Sequence, residues 1–172
     1  MKIFKNKKKL INEISKVKSI AFVPTMGSLH EGHLSLIDKA KKESKNVLVS
    51  IFINPKQFNS KIDFINYPRN ITRDIKILKK NKVKYVYIPN YKDIYSHRIK
   101  NKPYIDKFSK LLCGKYRPGH FEGVINVVNR FIEILNPKFI CLGLKDFQQL
   151  SLIRQHINKN NIKTKVITCP IM

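Results

Sequence analysis

Pro24-Thr25-Met26-Gly27-Ser28-Leu29-His30-Glu31-Gly32-His33 is the stretch of this sequence that decides its fold. An apolar run over residues 20–23 comes directly before it and predicts a buried strand. Apolar side chains at helical spacing follow it and predict a helix over residues 34–43. Two histidines and two glycines therefore lie where a strand turns into a helix, which is where open α/β sheets bind their ligands.

The residue types in this turn suit a phosphate ligand. Gly27 and Gly32 allow the backbone or a ligand to approach closely, and the N–H groups at the start of a helix attract anions. His30 and His33 are three residues apart, so they share a helix face and can both donate to one polyphosphate. The motif alone leaves open a second interpretation, a helix entry with two solvated histidines.

Strand-like and helical segments alternate along the rest of the chain. Apolar runs predict strands over residues 20–23, 47–53, 85–88, 139–142 and 164–168, and helical periodicity covers residues 34–43, 71–80, 124–135 and 147–158. The strands are almost continuously apolar, as strands covered on both faces are. The pattern predicts an α/β fold with a doubly wound parallel sheet and helices on both faces. Polar residues 90–102 are expected to form a surface loop, and His97 and His156, which have no motif around them, to be surface residues.

Composition places the chain among ordinary globular domains. Its 172 residues, 42% of them hydrophobic, suffice for about one domain with a substantial core. No apolar run approaches the roughly 18–20 residues that cross a bilayer, and no apolar segment follows the basic N-terminus as in a secretory signal. The three cysteines are odd in number, widely spaced and without a zinc-binding pattern. Cys141 and Cys169 lie in apolar strand-like runs, so buried free thiols in a reducing cytoplasm are expected.

The net charge of +24 raises the possibility of a nucleic-acid partner. Lysine supplies 29 of the 35 positive charges and arginine only six, whereas nucleic-acid readers favour the arginine fork. The lysines are scattered along the chain, and lysine, isoleucine and asparagine share AT-rich codons. An AT-rich genome explains this charge without a partner, so we do not expect nucleic acid to be a physiological ligand.

Five blocks of sequence carry a family resemblance. His-x-Gly-His at a strand-to-helix turn is similar to the signature of the nucleotidyl-transferring α/β superfamily, and residues 24–30 resemble one family within it, the pantothenate synthetases (pantoate–β-alanine ligases). Blocks at 51–58, 67–69, 117–124 and 143–149 resemble that family in the same order. The resemblance runs from about residue 17 to residue 172. It implies that residues 1–172 form a Rossmann-like ATP- and pantoate-binding domain and that the family's C-terminal domain is absent.

The resemblance also implies roles for individual residues. His33, His30 and Lys145 are expected to be catalytic, Gln57 and Gln149 to bind pantoate, and Gln57 also to bind β-alanine. The expected ATP-binding residues are Met26, Gly27, Ser28, Leu29, His30, Glu31, Gly32, His33, Gly143, Leu144, Lys145, Asp146 and Met172. Leu144 stands where the family usually has an acidic or amide residue, which weakens its own assignment only.

The residue chemistry supports these roles and also allows plainer ones. Gln57 offers a neutral amide to a hydroxyl or carboxylate; the alternative is a polar loop after a strand. Lys145 offers an ammonium to phosphate, and Asp146 is placed to cap the following helix; the alternative is a helix cap beside an exposed lysine. In residues 117–121 a turn with His120 as a capping group, or as a support behind the substrate contacts, is favoured over direct substrate contact.

The activity implied by the resemblance is a two-step ligation. Pantoate attacks ATP, with Mg²⁺ shielding the triphosphate, to give pantoyl adenylate and pyrophosphate; β-alanine then displaces AMP. The resemblance further implies a homodimer. Because the family's C-terminal domain, which would close over the site, is expected to be absent, weak ATP binding and little activity are anticipated. Another nucleotidyltransferase and a non-enzymatic binding remnant stay open as alternatives.

Overall fold

The fold is built on one parallel sheet. The structure, a computed structural model, describes residues 1–170. Within them, six strands lie in the order β1-β4-β3-β2-β5-β6, and every neighbouring pair is parallel. The strands are β1 (Lys2–Phe4), β2 (Ala21–Thr25), β3 (Val47–Ile51), β4 (Tyr85–Tyr87), β5 (Phe139–Gly143) and β6 (Lys165–Cys169).

Helices cover both faces of this sheet. They are α1 (Lys7–Ile14), α2 (Glu31–Glu43), α3 (Lys61–Asn66), α4 (Ile71–Lys80), α5 (Tyr91–Tyr95), α6 (Cys113–Tyr116), α7 (His120–Leu135) and α8 (Phe147–Lys159), with 3₁₀ turns at Pro55–Gln57, Lys107–Lys110 and Leu144–Asp146. Two apolar clusters form, one with α2 and α4, the other with α1, α7 and α8. The predicted doubly wound α/β architecture is confirmed.

Alternate strand residues supply the two clusters. Phe22 and Leu48 belong to the cluster of α7 and α8, whereas Val23 and Val49 belong to the cluster of α2 and α4. Successive side chains of a strand point to opposite faces, so a central strand must be apolar at every position. This is why all five residues of β3 are buried, and why apolar runs without alternation located these strands correctly.

The structure corrects the sequence-based assignments at the edges of the fold. Strand β1 was not predicted, because Lys2–Phe4 is short, basic and mostly exposed; it pairs with β4 at the sheet edge. The expected surface loop over residues 90–102 contains α5, whose Ile94 is fully buried. Helix α7 begins at His120, four residues earlier than predicted.

His156 is buried, which contradicts its predicted surface position. Its Nε2 lies 2.9 Å from Oδ1 of Asn129, and its Nδ1 accepts a hydrogen bond of 3.1 Å from the backbone N–H of Tyr104. Burial lowers the pKa of His156, so the ring is neutral at neutral pH. His156 lies on the buried face of α8 together with the apolar residues of that helix, although histidine is a polar residue. His97 is only partly exposed.

The carboxyl ends of β2 and β5 create the opening in which a site can form. The chain leaves β2 for β3 on one side, and it leaves β5 for β6 on the other, so the strand order switches between these two neighbours. Crevices at such switch points are the usual ligand sites of open α/β sheets. Among the described residues, no helix has the length and apolar character needed to cross a membrane.

Candidate active site

A cleft of about 200 Å³ opens at the switch point. We call it the central cleft. The end of β2, the start of α2 and the end of β5 form its rim, and apolar side chains of α7 form one wall. Its lining includes Thr25, Met26, His33, Gln57, Tyr67, Val124, Val127, Val128, Phe131, Gly143, Asp146 and Gln149. Two glutamines therefore line a pocket that has an apolar wall on one side and polar side chains at its rim.

Two larger clefts adjoin the central cleft. The histidine cleft, about 560 Å³, shares His33, Gly143 and Asp146 with it and is also lined by His30, Glu31, Gly32, Lys145 and Pro170. The outer cleft, about 480 Å³, shares Met26, Gln57 and Tyr67 with it and is also lined by Asn59, Asp63, Tyr116 and Arg117. The central cleft thus lies between the compartment that holds the two histidines and Lys145 and a second, polar compartment.

The two histidines are held by the backbone of their own turn. His30 is the N-cap of α2, and its Nδ1 accepts a hydrogen bond of 3.1 Å from the N–H of Gly32. The Nδ1 of His33 accepts from the N–H of His30 at 3.4 Å, and the ring centroids are 4.2 Å apart. Because Nδ1 accepts a hydrogen bond in each ring, the nitrogen that carries the proton is Nε2. Both rings can therefore donate to a ligand.

His33 is neutral at neutral pH in the ligand-free protein. Burial, and then the neighbouring His30, lower the pKa of His33 to about 4, although the negative charge of Asp74 opposes them. A polyphosphate in the histidine cleft would favour the protonated ring. The structure consequently presents His33 as a neutral Nε2–H donor before a ligand arrives.

Four N–H groups at this turn are already bound by side chains of the protein, so they are not free to bind phosphate. Those of Ser28 and Leu29 each donate to the carboxylate of Asp74 at 2.9 Å. Those of His30 and Gly32 donate to the imidazoles. Side chains, and not the amides of these four residues, must therefore supply most of the hydrogen bonds to an anion here. Asp74 was missed by sequence reasoning, because its burial and its contacts with residues 28 and 29 leave no mark in the local sequence.

The 3₁₀ turn Pro55–Gln57 fixes the orientation of the Gln57 amide. Asn54 donates from Nδ2 to Oε1 of Gln57 at 3.1 Å, while Nε2 of Gln57 points to the sulfur of Met26 at 3.1 Å. Gln57 is therefore oriented to donate from Nε2. Gly123 packs directly beneath: a Cβ there would lie 2.2 Å from the backbone oxygen of Lys56.

The segment after β5 brings a cation and a carboxylate to the same cleft. Lys145 and Asp146 both line the histidine cleft. Asp146 occupies the N-cap position of α8, but its side chain makes no capping hydrogen bond, which corrects the predicted role. Gln149 lines the central cleft. Its neighbour Gln148 is buried and instead donates to the carbonyls of Phe108 and Leu111.

Some predicted ATP-binding residues lie away from these clefts. Gly27, Ser28, Leu29 and Leu144 line none of the three. Leu29 belongs to the core beside α2, and Leu144 packs against the other core cluster. Met172 lies outside the described residues. The structure does bring together His30, His33 and Lys145, and it brings Gln57 and Gln149 to one pocket.

The acidic and histidine side chains do not form a preformed metal site. Across residues 1–170, no group of three or more His, Cys, Asp or Glu side chains is arranged to hold a metal ion. Asp146 lines both the central and the histidine clefts with no side-chain capping contact.

Comparison with known sequences gives one consistent result. The family model described as pantoate-beta-alanine ligase matches residues 2–172. A pantothenate synthetase of Pseudothermotoga lettingae is 46% identical over 165 residues, covering 96% of this chain and 59% of the relative. One of Caldicellulosiruptor saccharolyticus is 43% identical, covering 90% of this chain and 55% of the relative. The chain thus spans a little over half the length of the curated relatives it matches.

Solved structures show the same similarity. A pantoate-beta-alanine ligase from Francisella tularensis, complexed with beta-gamma ATP and beta-alanine, superposes with a TM-score of 0.92 at 42% identity, covering this whole chain and 67% of that one. A pantothenate synthetase from Thermus thermophilus superposes with a TM-score of 0.91 at 31% identity, covering this whole chain and 62% of that one.

Proposed function

Since the chain belongs to the pantoate-beta-alanine ligase family, we propose that it carries the site at which ATP activates pantoate for condensation with β-alanine. The observation that supports this most directly is the order of the three clefts. The central cleft with its two glutamines lies between the histidine cleft and the outer cleft. An acid bound in the middle would meet ATP on one side and an amine on the other.

The first step is adenylation. A carboxylate oxygen of pantoate forms a bond to the α-phosphorus of ATP, and the bond from that phosphorus to pyrophosphate breaks. Negative charge accumulates on the departing phosphates, so donors aimed at them stabilise the transition state. We assign this role to Nε2 of His30 and His33 and to the ammonium of Lys145, which line the histidine cleft together.

Pantoate fits the chemistry of the central cleft. Its dimethyl-substituted carbon would lie against the apolar wall formed by Val124, Val127 and Val128. Nε2 of Gln57 donates to an acceptor such as a hydroxyl or carboxylate oxygen, and Gln149 supplies a second amide. Two neutral amides hold the acid without quenching the nucleophilicity of its carboxylate as a close cation would.

β-Alanine would approach from the outer cleft. Gln57 lines both the central and the outer clefts, which accords with a role toward both acids. In the second step the amine of β-alanine attacks the acyl carbon and loses a proton. The bond from that carbon to the adenylate oxygen breaks, and AMP leaves. Adenylation is needed because a free carboxylate has no good leaving group.

Mg²⁺, the homodimer and a cytoplasmic location belong to the same proposal. Phosphate oxygens and a carboxylate are ligands that Mg²⁺ prefers, so Asp146 is the residue suited to hold it, directly or through water, beside the triphosphate. Bound there, the ion would supply charge neutralisation during adenylation.

The ATP- and pantoate-binding domain over residues 1–172 is proposed to need the family's C-terminal portion for full activity.

The test measures pyrophosphate release from ATP with pantoate or with other small acids. It uses the 172-residue chain and a chimera continued with the remaining part of the Pseudothermotoga lettingae relative. We expect the chimera to release pyrophosphate only with pantoate and to form pantothenate when β-alanine is added. Strong release with a different acceptor would support another nucleotidyltransferase. Binding to duplex DNA that exceeds ATP binding and falls steeply with salt would support a basic binding remnant.

A further inference from the structure

We infer that Asp74 is the positioning residue of the histidine turn, holding residues 27–29 in the conformation that presents His30 and His33 to their cleft. This inference rests on the proposed function only for the identity of the ligand. Asp74 lies on α4, a different element from the histidines, and lines none of the three clefts. It acts through the turn and is not a catalytic residue.

Both oxygens of the Asp74 carboxylate accept hydrogen bonds from this turn. Its Oδ2 accepts from the N–H of Ser28 and its Oδ1 from the N–H of Leu29, both at 2.9 Å. Asp74 is only 1% exposed, and among the described residues it forms no ion pair with a lysine, arginine or histidine. A buried charge is costly unless it is hydrogen-bonded, so the two amides are what stabilise it.

The turn, in return, needs an external support. Gly27 has φ of 80° and Ser28 has φ of 53°, so two consecutive residues adopt the left-handed region. For a residue with a Cβ, such as Ser28, that region is unfavourable. The two consecutive N–H groups that this conformation directs to one side are bound by the two oxygens of Asp74. The left-handed backbone then delivers His30 in the extended conformation of an N-cap.

A role as an ordinary helix cap does not account for these contacts. Asn70 already caps α4 by accepting from the N–H of Arg73. Both Asp74 oxygens instead reach residues 45 and 46 positions away in sequence. Gly27 also packs closely against this carboxylate, because a Cβ on Gly27 would lie 2.9 Å from Oδ2 of Asp74. The turn and the carboxylate are therefore matched to each other.

The test compares the wild-type chain with Asp74→Asn, which keeps the shape but turns an N–H₂ group toward one of the two amides. Asp38→Asn, an exposed acid on α2, is the matched control for losing one charge. NMR of the ¹⁵N-labelled chain measures hydrogen exchange at Ser28 and Leu29 and the imidazole shifts of His30 and His33. We expect exchange at least about tenfold faster in Asp74→Asn, together with loss of the Nε2–H signature of His33, and no change in Asp38→Asn.

Unchanged exchange, or faster exchange with unaltered imidazole signals, would overturn the inference. If Asp74→Asn does not fold, the same NMR signals are measured in Gly27→Ala. The added Cβ would lie too close to the carboxylate of Asp74 and would push the turn away from it. Titration with a β,γ-methylene ATP analogue separates this inference from the proposed function. An about tenfold loss of affinity in Asp74→Asn but not in Asp38→Asn supports both. If even the wild type fails to bind the analogue, the ligand assignment fails, and the imidazole signals still decide the role of Asp74.

Discussion

The Nδ1 atom of His120 lies 2.7 Å from the backbone carbonyl oxygen of Gln57. A carbonyl oxygen only accepts, so Nδ1 of His120 carries the proton and donates. Burial lowers the pKa of His120, which keeps the ring neutral at neutral pH. This hydrogen bond links the start of α7 to the turn that carries Gln57, the glutamine proposed to bind pantoate.

Replacing His120 tests that link. His120→Leu should destabilise the chain by about 1–3 kcal/mol, because it leaves the buried carbonyl of Gln57 without a donor. His120→Asn can place an amide N–H near the former Nδ1 and should retain most of the stability. Urea unfolding of both variants measures the difference. Equal loss in the two variants would show that ring packing, and not the hydrogen bond, is what matters.

Stability should fall as the pH drops below about 6.5, the ordinary histidine value. The folded-state pKa of His156 is lowered by burial, so the unfolded chain binds the proton more readily and acid favours unfolding. The stabilisation is fully present above the unfolded pKa and is lost as the pH falls through the folded one. Each such histidine changes the free energy of unfolding by at most about 1.4 kcal/mol per pH unit.

His156→Gln is the variant that checks this assignment. It should be less stable at pH 7.5, because Asn129 or the Tyr104 amide loses its partner, yet its stability should depend less on pH between 6.5 and 5. Urea unfolding across that range gives the slope. A slope identical to that of the wild type would assign the pH dependence to other groups, of which His33 and His120 also have lowered pKa values.

His33 should act through its Nε2–H. In the chimera, His33→Ala is expected to slow adenylation by roughly 10²–10³-fold, the usual cost of losing one charge-stabilising donor. His33→Gln, which retains a neutral N–H donor, should recover a substantial part of that loss. Pyrophosphate release under single-turnover conditions measures both. An effect confined to the apparent affinity for ATP would make His33 a binding group only.

Two adjacent glutamines offer a matched pair. Gln149→Ala should weaken pantoate binding by about 1–3 kcal/mol and leave the unfolding free energy nearly unchanged, because Gln149 lines the central cleft. Gln148→Ala should destabilise the chain instead, since this buried amide donates to Phe108 and Leu111. Calorimetric titration with pantoate and urea unfolding separate the two effects. Loss of pantoate and ATP binding together in Gln149→Ala would point to misfolding.

The sequence by itself determined the architecture of this protein. Central strands buried on both faces must be apolar at every position, so each one is recognisable in the sequence as a continuous apolar segment. Their alternation with helices predicts that they pair in parallel. The positions of the histidine turn and of residues 143–149 at strand ends were also predictable. Parallel strands expose their carboxyl ends at one edge, and this explains why His33, Lys145 and Gln149 lie around adjoining clefts.

Only the tertiary structure decided how these groups are held. Asp74 reaches the histidine turn from a helix more than forty residues away, and His120 reaches Gln57 from a distance of 63 residues. Neither contact leaves a local pattern, because a side-chain hydrogen bond depends on the direction of two elements in space. For the same reason the sequence misplaced His156 at the surface and gave no indication that Asp74 binds the amides of Ser28 and Leu29. Periodicity records which face of an element is buried, but only packing decides which polar group meets which partner.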